Sequence, residues 1–431
     1  MALEFAVRTL QALSADPVGT TYTISGLPFA PKAIIAISTN ENTAVDSLGA
    51  GTYRVCVGFA TSTTNRRAIA ISGSDAAGTS ANDQGRREDA VLFGVDSASA
   101  FLKVIDIDAF LSDGVRLIVD VTGSGNHAIV VILLGGDDIL QVTTGDFTEP
   151  AAAGNFDVTT VGFEPSIVFF MGGRATVDGQ TTWTHAQLSF GVGMNERGGK
   201  PGDQSGCWHV DGRAEDAVGT TNCAGAADSA NVLQVLQPTS DVREYALEWI
   251  QSLANGFRLN QRAASAGGKF VDFLAIRGGG WKVGRGTTKT TATAFSLAQL
   301  GFIPKGLIVA SVGEAEDAPA AVHAHLRMSF GAAESPTSRH AKAVFDRDAQ
   351  ATSQTSRGSE FDECYFRISD TDTIDALMDE TAENADGSID LVMDDVETAE
   401  RFFGFVACGD TPPVPQHILQ PALLMPLYRS G

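Results

Sequence analysis

Apolar positions along this chain come in short, unbroken runs. Segments such as KAIIAI, SIVFF, GLIVAS and HAIVVILL are rich in Val, Ile and Phe and are bounded by Gly, Asp and Thr. Runs of this kind are typical of strands buried between two sheets. A [DN]-G pair before VRLIV and before FRLN is a hairpin signal. The pattern predicts an all-β fold, with short helices as an option only at 228–236 and 372–380.

One entrance to such a run occurs three times, as PFAPK, GFEPS and GFIPK. Its prolines are 134 and 139 residues apart, and each precedes a glycine landmark by 27, 26 and 27 residues. A second glycine follows each proline at 83, 91 and 83 residues, and an apolar run ending in glycine closes each copy. The landmarks, in chain order, are Pro31, Gly58 and Gly114, then Pro165, Gly191 and Gly256, then Pro304, Gly331 and Gly387.

Four landmarks in one order indicate three tandem copies of a unit of domain size. We predict three antiparallel β-sandwiches of jelly-roll type, at residues 1–138, 139–280 and 281–410. A proline at the first residue of each strand is compatible with this fold, because its missing N–H group would form no interstrand hydrogen bond there.

The middle copy has extra residues between its two glycines, in a segment predicted to be a long loop at about 196–230. This loop would carry Trp208, His209 and Asp211, and aromatic and polar groups on a loop of a rigid β scaffold are typical of a binding site. The alternative is a loop folded against a neighbouring subunit or over its own core. Cys207 and Cys223 could form a disulfide or bind a metal with His209, but their spacing matches no standard site. We therefore predict no metal there.

The last residues, 411–431, hold five of the chain's fifteen prolines among apolar side chains. Closely spaced prolines exclude a continuous helix and favour an extended backbone, and apolar residues are costly to leave in water. We predict an extended assembly arm that docks on another surface, or a strap across its own third domain. The arm residues are Pro415, Ile418, Leu419, Leu423, Leu424, Met425 and Tyr428.

The formal net charge of −22 argues against a grip on nucleic acid, which needs Lys and Arg. Fifteen acids and one base lie between Glu360 and Glu400. This acidic segment of the third copy is expected to form a face exposed to solvent. The alternative is Ca²⁺ binding around SDTDTIDALMDE, although this stretch lacks the glycine of a calcium loop. No other cofactor is indicated. No apolar run is long enough for a bilayer, and the start does not resemble a secretory signal. Five scattered cysteines are expected to be reduced.

Catalysis needs a nucleophile with a base, paired carboxylates or a metal cluster in a pocket. The sequence has no GxSxG, HExxH or Walker motif. His185 and His325 occupy the same register in two copies, and the first copy has Thr52 there, which favours a structural role over a ligand role. We therefore predict that the protein is not an enzyme.

The order GFxP, SFG, DGF and a closing apolar strand resembles repeats in uncharacterised structural proteins of tailed bacteriophages. The residues that carry it are Gly162, Phe163, Pro165, Ser189, Phe190, Gly191, Gly256, Phe257 and Leu259, with their counterparts. The first copy departs with PFAP and VGF, and the third with DGSIDL.

The resemblance implies a non-enzymatic component of the virion, assembled in the host cytoplasm and placed on the outer surface as head decoration, head or vertex spike, or tail-fibre part. Expected partners are copies of the chain itself, with a trimer favoured, and capsid, portal or tail proteins. The alternative is a carbohydrate-binding adhesin or receptor-binding protein that takes a host-surface glycan on the loop of the middle copy. Neither nucleic acid nor membrane is an expected partner.

Overall fold

The structure, a computed structural model, describes residues 2–41, 46–96, 100–177, 181–195, 206–263, 265–313 and 322–410. Within these ranges the chain forms 33 strands and no helix. None of the described segments is therefore a helix that could cross a membrane. The all-β prediction is confirmed.

Strands β1–β11 are here called repeat 1, and all of them except β4 form two antiparallel sheets. In chain order the strands are β1 (Glu4–Ala12), β2 (Thr21–Ile24), β3 (Pro31–Thr39), β4 (Ser47–Ala50), β5 (Tyr53–Ala60), β6 (Arg66–Gly73), β7 (Asn82–Arg87), β8 (Leu92–Val95), β9 (Phe101–Leu111), β10 (Gly114–Val121) and β11 (His127–Gly135). The larger sheet has the order β1-β11-β3-β5-β6-β7, and the smaller sheet has the order β2-β10-β9-β8.

Strands β12–β22, here called repeat 2, have the same topology. They are β12 (Ile139–Thr148), β13 (Gly154–Val158), β14 (Ile167–Gly172), β15 (Thr181–Thr184), β16 (Ala186–Gly193), β17 (Cys207–Ala214), β18 (Cys223–Asp228), β19 (Leu233–Leu236), β20 (Arg243–Leu253), β21 (Gly256–Gln261) and β22 (Phe270–Gly278).

Strands β23–β33, here called repeat 3, also have this topology. They are β23 (Gly280–Thr287), β24 (Phe295–Leu297), β25 (Ile303–Ser311), β26 (His323–Ala324), β27 (Leu326–Ser335), β28 (Ser338–Asp346), β29 (Thr355–Glu360), β30 (Tyr365–Ile368), β31 (Ile374–Glu383), β32 (Ile389–Asp395) and β33 (Phe402–Asp410). The stretches 228–236 and 372–380, for which short helices were considered, form β19 and most of β31. Every second residue of β31 from Ala376 to Glu380 is buried, which is the period of a strand.

The seventh strand of each larger sheet comes from a different repeat. Strand β15 of repeat 2 pairs with β7, β26 of repeat 3 pairs with β18, and β4 of repeat 1 pairs with β29. All three donated strands precede the strand that carries the first glycine landmark. Because each repeat gives one strand and receives one, the three sandwiches close into a ring with pseudo-threefold symmetry, and one edge of every larger sheet is covered.

Each sandwich has its own core between its two sheets, and a fourth core lies where the three larger sheets meet. Phe163 and Phe302, the aromatics at the strand entrances of repeats 2 and 3, are buried in their own sandwiches. The shared core contains Phe59, Phe190 and Phe330, one from each repeat. Their ring centroids are 6.3 Å apart from Phe59 to Phe190 and 5.7 Å apart from Phe190 to Phe330.

The first glycine landmark has a steric cause. A Cβ atom on Gly58, Gly191 or Gly331 would lie 1.8, 2.0 or 1.9 Å from a carbonyl oxygen. That oxygen belongs to the residue that leads into the smaller sheet, which is Val91, Val232 or Cys364. Only glycine allows the two backbones to approach this closely, so the motif recurs with the fold.

Candidate assembly and binding sites

Three equivalent hairpin turns, one per repeat, interlock around the ring. Each contains an Asp-Ala pair whose alanine adopts a left-handed conformation, with φ of 53° at Ala76, 60° at Ala217 and 58° at Ala349. The aspartate of each turn accepts a hydrogen bond from a strand amide of another repeat. The pairs are Asp216 with Asn82 at 3.0 Å, Asp348 with Cys223 at 2.9 Å and Asp75 with Thr355 at 3.0 Å.

A hydroxyl group four residues after each alanine completes the interlock. Ser80 donates to the carbonyl oxygen of Glu215, Thr221 to that of Arg347, and Ser353 to that of Ser74, at 2.8, 2.6 and 2.7 Å. The hydrogen bonds therefore run around the ring, with each repeat bound to both others.

Substituting Ser353 by alanine is expected to lower the free energy of unfolding by about 1–2 kcal/mol, because the carbonyl group of Ser74 loses a buried donor. Urea denaturation at constant pH measures the change. The control is Ser296→Ala, which removes a hydroxyl that bonds Asp390 near solvent. Equal losses for both variants would show that the interlock adds no stability.

The histidines His185 and His325 have the structural role that the sequence predicted. Both have positive φ, 70° and 79°, directly before a strand of the larger sheet. The Nδ1 atom of each accepts a hydrogen bond at 2.9 Å from the amide of Asp216 or Asp348, in the interlocking turns. Thr52 replaces them in repeat 1, with its hydroxyl 3.5 Å from the equivalent amide of Asp75.

The predicted binding residues Trp208, His209 and Asp211 lie on strand β17 and are completely buried. The interpretation of 196–230 as one long loop is therefore wrong for its described part, because β17 and β18 occupy 207–214 and 223–228. Successive side chains of β17 point to opposite faces, so Trp208 enters the shared core while His209 and Asp211 face the interior of repeat 2. These side chains are not available to a ligand at the surface.

The interior of repeat 2 is polar where the other two sandwiches are apolar. His209 pairs with Gly191, and the residues that pair with Gly58 and Gly331 are Ala68 and Ala341. At the position of Asp211, two residues later, the other repeats also have alanine. The matched sets are His209, Asp211 and Gln234 in repeat 2, Ala68, Ala70 and Phe93 in repeat 1, and Ala341, Ala343 and Phe366 in repeat 3.

Hydrogen bonds and charges organise this polar interior. Gln187 donates to Asp211 at 2.7 Å, and burial raises the pKa of Asp211 to about 7. Nδ1 of His209 lies 3.4 Å from a carboxylate oxygen of Asp228. Burial alone would raise the pKa of Asp228, but His209 and hydrogen bonds from Asn231 and the Ala230 amide hold that pKa below its usual value. Since these groups are closed to solvent, they are candidates for a structural rather than a binding role.

All five cysteines are free and buried, as predicted. Cys207 pairs with Gly193 at the start of β17, whereas Cys223 pairs with Ala214 at its end. The length of the strand separates the two thiols, so the disulfide considered for them does not form.

A cleft of about 660 Å³ opens at the joint between repeats 2 and 3. Lysines follow the entrance proline at the other two joints and bridge them. Lys32 donates to the carbonyl oxygens of Gly136 and Ile139, and Lys305 lies 3.5 Å from Asp410. At the third joint the residue after the entrance proline is Ser166, whose short side chain leaves the space open. The cleft is lined on its polar side by Glu164, Asn195, Arg277 and Lys282 and on its apolar side by Leu140, Trp281 and Phe302.

The predicted assembly-arm residues Pro415, Ile418, Leu419, Leu423, Leu424, Met425 and Tyr428 lie outside the described residues. The described chain ends at Asp410, next to its own beginning. The carboxylate of Asp410 accepts a hydrogen bond from the amide of Leu3 at 3.0 Å, and Asp410 pairs with Ile303 in the sheet. An arm would therefore leave from the joint between repeats 3 and 1.

Comparisons with known proteins leave the family open. No protein-family model matches the chain, and no curated protein matches it. Among solved structures, one titled "Crystal Structure of the STIV MCP" is 8% identical and covers 63% of this chain and 96% of that chain, with a TM-score of 0.18. A likeness at this level carries no argument about fold or function, so the functional argument depends on the ring itself.

Proposed function

We propose that the protein is a non-enzymatic structural component of a tailed-phage particle, placed on the outer surface and acting by protein–protein assembly. The observation that carries the proposal is the strand exchange that closes three sandwiches of one chain into a ring. Its buried polar and apolar residues are used to join repeats to one another. The resemblance of the repeats to phage structural proteins supports the same conclusion.

A pseudo-threefold body suits positions with threefold symmetry or local threefold symmetry on a particle. Symmetric assemblies match surfaces through their symmetry axes, and a chain with internal threefold symmetry presents three related faces to such a position. The net charge of −22 would be repelled by packaged DNA, which favours the outside of the shell. Head decoration, a vertex spike and a tail-fibre part all satisfy both conditions.

The three repeats are not identical, and their differences support one attachment per ring. Only repeat 3 is followed by the predicted arm, 411–431, and it also holds the segment from Glu360 to Glu400 with fifteen acids and one base. In a homotrimer of single sandwiches every copy would carry both features. We propose that the arm joins the ring to the particle or to further rings, and a trimer of rings is the self-assembly that the sequence favours.

Deleting residues 411–431 is expected to leave a folded ring that no longer binds particles or self-associates. Full-length and truncated proteins are incubated with particles that lack the protein, and co-sedimentation and light scattering measure attachment and mass. A double variant with Leu423 and Leu424 changed to serine should lose attachment, and a matched control with Gln416 and Gln420 changed to serine should keep it.

Attachment of the truncated protein at unchanged stoichiometry would overturn the arm as the assembly element. Copy number on purified particles then separates the locations. Many copies over the shell correspond to decoration, whereas a few at one site correspond to a spike or tail part.

The cleft between repeats 2 and 3 favours a second candidate, a carbohydrate-binding adhesin. Its size and its mixture of Arg277, Glu164 and Trp281 fit a small polar ligand with an apolar face. A glycan array probed with the full chain and with Arg277→Ala tests this function. Binding that is lost in Arg277→Ala supports it, and an array without signal contradicts it.

A further inference from the structure

Three carboxylates meet on one side of repeat 3. Asp379 lies on β31, Glu363 precedes β30, and Asp394 lies on β32, and one oxygen of each is within 4.8 Å of the others. Asp394 is the extra residue of a bulge, because Leu377 pairs with Asp395 and Met378 pairs with Met393. Bulges re-aim side chains, and here the bulge directs a carboxylate towards the other two.

Glu363 is the buried member of this carboxylate triad. Only 4% of the residue is exposed, and Oε2 has no hydrogen-bond partner among the described residues. A buried carboxylate surrounded by other acids and without a donor is costly unless a cation joins it.

The other two repeats show how the same position is normally satisfied. One backbone hydrogen bond recurs in every repeat and shows which residues are equivalent. It runs from the amide to the carbonyl oxygen in the pairs Val91 to Ile105, Val232 to Leu247 and Cys364 to Met378. The residues that match Glu363, Asp379 and Asp394 are Ala90, Asp106 and Asp120 in repeat 1 and Asn231, Glu248 and Arg262 in repeat 2.

In repeat 2 the positive charge is supplied by an arginine of the chain. Arg262 occupies the position of Asp394, and its Nε atom lies 3.4 Å from the carboxylate of Glu248. Asn231, in place of Glu363, adds no charge and donates to Asp228. Repeat 1 lacks the buried acid altogether, since Ala90 stands there, and Arg66 forms an ion pair with Asp106.

Repeat 3 has three acids and one nearby base. Nη2 of Arg339, the counterpart of Arg66, lies 3.2 Å from Asp379 and balances one charge. With all three carboxyl groups ionised, as metal ligands are, two negative charges are left, which matches a divalent ion. Ca²⁺ prefers several carboxylate oxygens in flexible geometry and fills its remaining positions with water.

We propose that repeat 3 binds one divalent cation of the calcium type through Glu363, Asp379 and Asp394. The ion takes the place that the Arg262 guanidinium holds in repeat 2. It links the smaller sheet, through β31 and β32, to the segment that connects β29 to β30. This segment lies beside the junction where β4 of repeat 1 enters the larger sheet.

Calorimetric titration of the full chain with CaCl₂, after removal of metals with EDTA, tests the proposal. We expect saturable binding of one ion per chain and a higher melting temperature with Ca²⁺. Glu363→Gln should weaken binding at least ~10-fold, as expected for loss of one charged ligand. Asp394→Arg, which installs the residue of repeat 2 at an exposed bulge, should abolish binding and the Ca²⁺-dependent rise in melting temperature.

The matched control is Asp120→Asn, which alters the same bulge position in repeat 1 and should leave Ca²⁺ affinity unchanged. Circular dichroism of each variant confirms the β fold, and Asp394→Arg keeps the test valid if Glu363→Gln fails to fold. The proposal is overturned if the wild-type chain shows no saturable binding, or if Asp394→Arg binds Ca²⁺ as tightly as the wild type. Both measurements use the isolated protein, so they do not depend on attachment to a particle.

Discussion

Replacing Trp208 by alanine is expected to lower the free energy of unfolding by about 3–5 kcal/mol. The indole of Trp208 is completely buried and joins two repeats. Its Nε1 atom donates to the carbonyl oxygen of Phe405 at 2.9 Å, and its ring packs against Phe190 with centroids 5.9 Å apart. A Cβ atom on Gly404 would lie 2.2 Å from the indole, so glycine is needed at this position of repeat 3 for the indole to fit. Truncation leaves a cavity and an unpaired carbonyl group.

Guanidinium denaturation followed by tryptophan fluorescence and circular dichroism measures this loss. The control is Trp249→Ala, because Trp249 is half-buried in the core of repeat 2 alone. Gly404→Ala should destabilise the protein through the same contact from the opposite side. A loss much below about 1 kcal/mol for Trp208→Ala would mean that the shared core does not hold the ring together.

The melting temperature is expected to fall by roughly 2–4 °C between pH 6.5 and pH 8.5. Burial raises the pKa of several buried carboxyl groups, among them Asp346 to about 8, Asp211 to about 7 and Glu380 to about 7. Each binds its proton more tightly in the folded protein than in the unfolded chain. Their stabilising effect is complete below pH ~4, the usual carboxyl pKa, and is lost as the pH rises through the folded values.

Other buried groups restrict the pH range over which stability falls as the pH rises. Burial lowers the pKa of His127 to about 3 and that of His340 to about 4, so stability is also lost as the pH falls below the ordinary histidine value of about 6.5. Burial lowers the pKa of Lys342 to about 7, which acts against the three carboxyl groups above that pH. Each pKa unit is worth about 1.4 kcal/mol, so three acids outweigh one lysine.

Differential scanning calorimetry in EDTA across this range measures the pH effect. Asp346→Asn is expected to raise the melting temperature at pH 8.5 and to flatten the profile. The control is Asp390→Asn, at a carboxyl near solvent whose pKa is lowered by the Ser296 hydroxyl, and it should leave the slope unchanged. A melting temperature that rises from pH 6.5 to 8.5 would contradict the buried-acid explanation.

The sandwich fold was predictable because its signals are local. The strand-entrance prolines, the apolar runs and the glycine landmarks each reflect a contact that recurs in every copy, such as the approach of Gly191 to the carbonyl group of Val232. Phe163 and Phe302 are buried because an aromatic before each strand fills the end of its sandwich.

The ring was not predictable, because its strands carry no apolar signal. Strands β4, β15 and β26 read SLGA, TTWT and HA, and they are short edge strands whose partners are far away in sequence. The interlocking turns read SDAAG, EDAVG and RDAQA, a match that marks a second set of landmarks.

Strand β17 was misassigned for a different reason. Both of its faces are buried, so the alternation of apolar and polar residues disappears, and His209 and Asp211 make the segment resemble a loop. Polar residues facing a sandwich interior conflict with local expectation, and only the neighbouring Gln187 and Asp228 explain how they are accommodated.

The hydrogen bond between Leu3 and Asp410 brings the two ends of the ring together. The ring structure therefore does not depend on which repeat comes first along the chain. The joint between repeats 3 and 1 is bridged by side chains in the way that covalent linkers bridge the other two. A circularly permuted protein, opened between Gly136 and Asp137 and joined from Asp410 to Leu3 by a short linker, should therefore reach the same structure. With residues 411–431 placed after Gly136, such a permutant would move the attachment point to another joint of an otherwise unchanged ring.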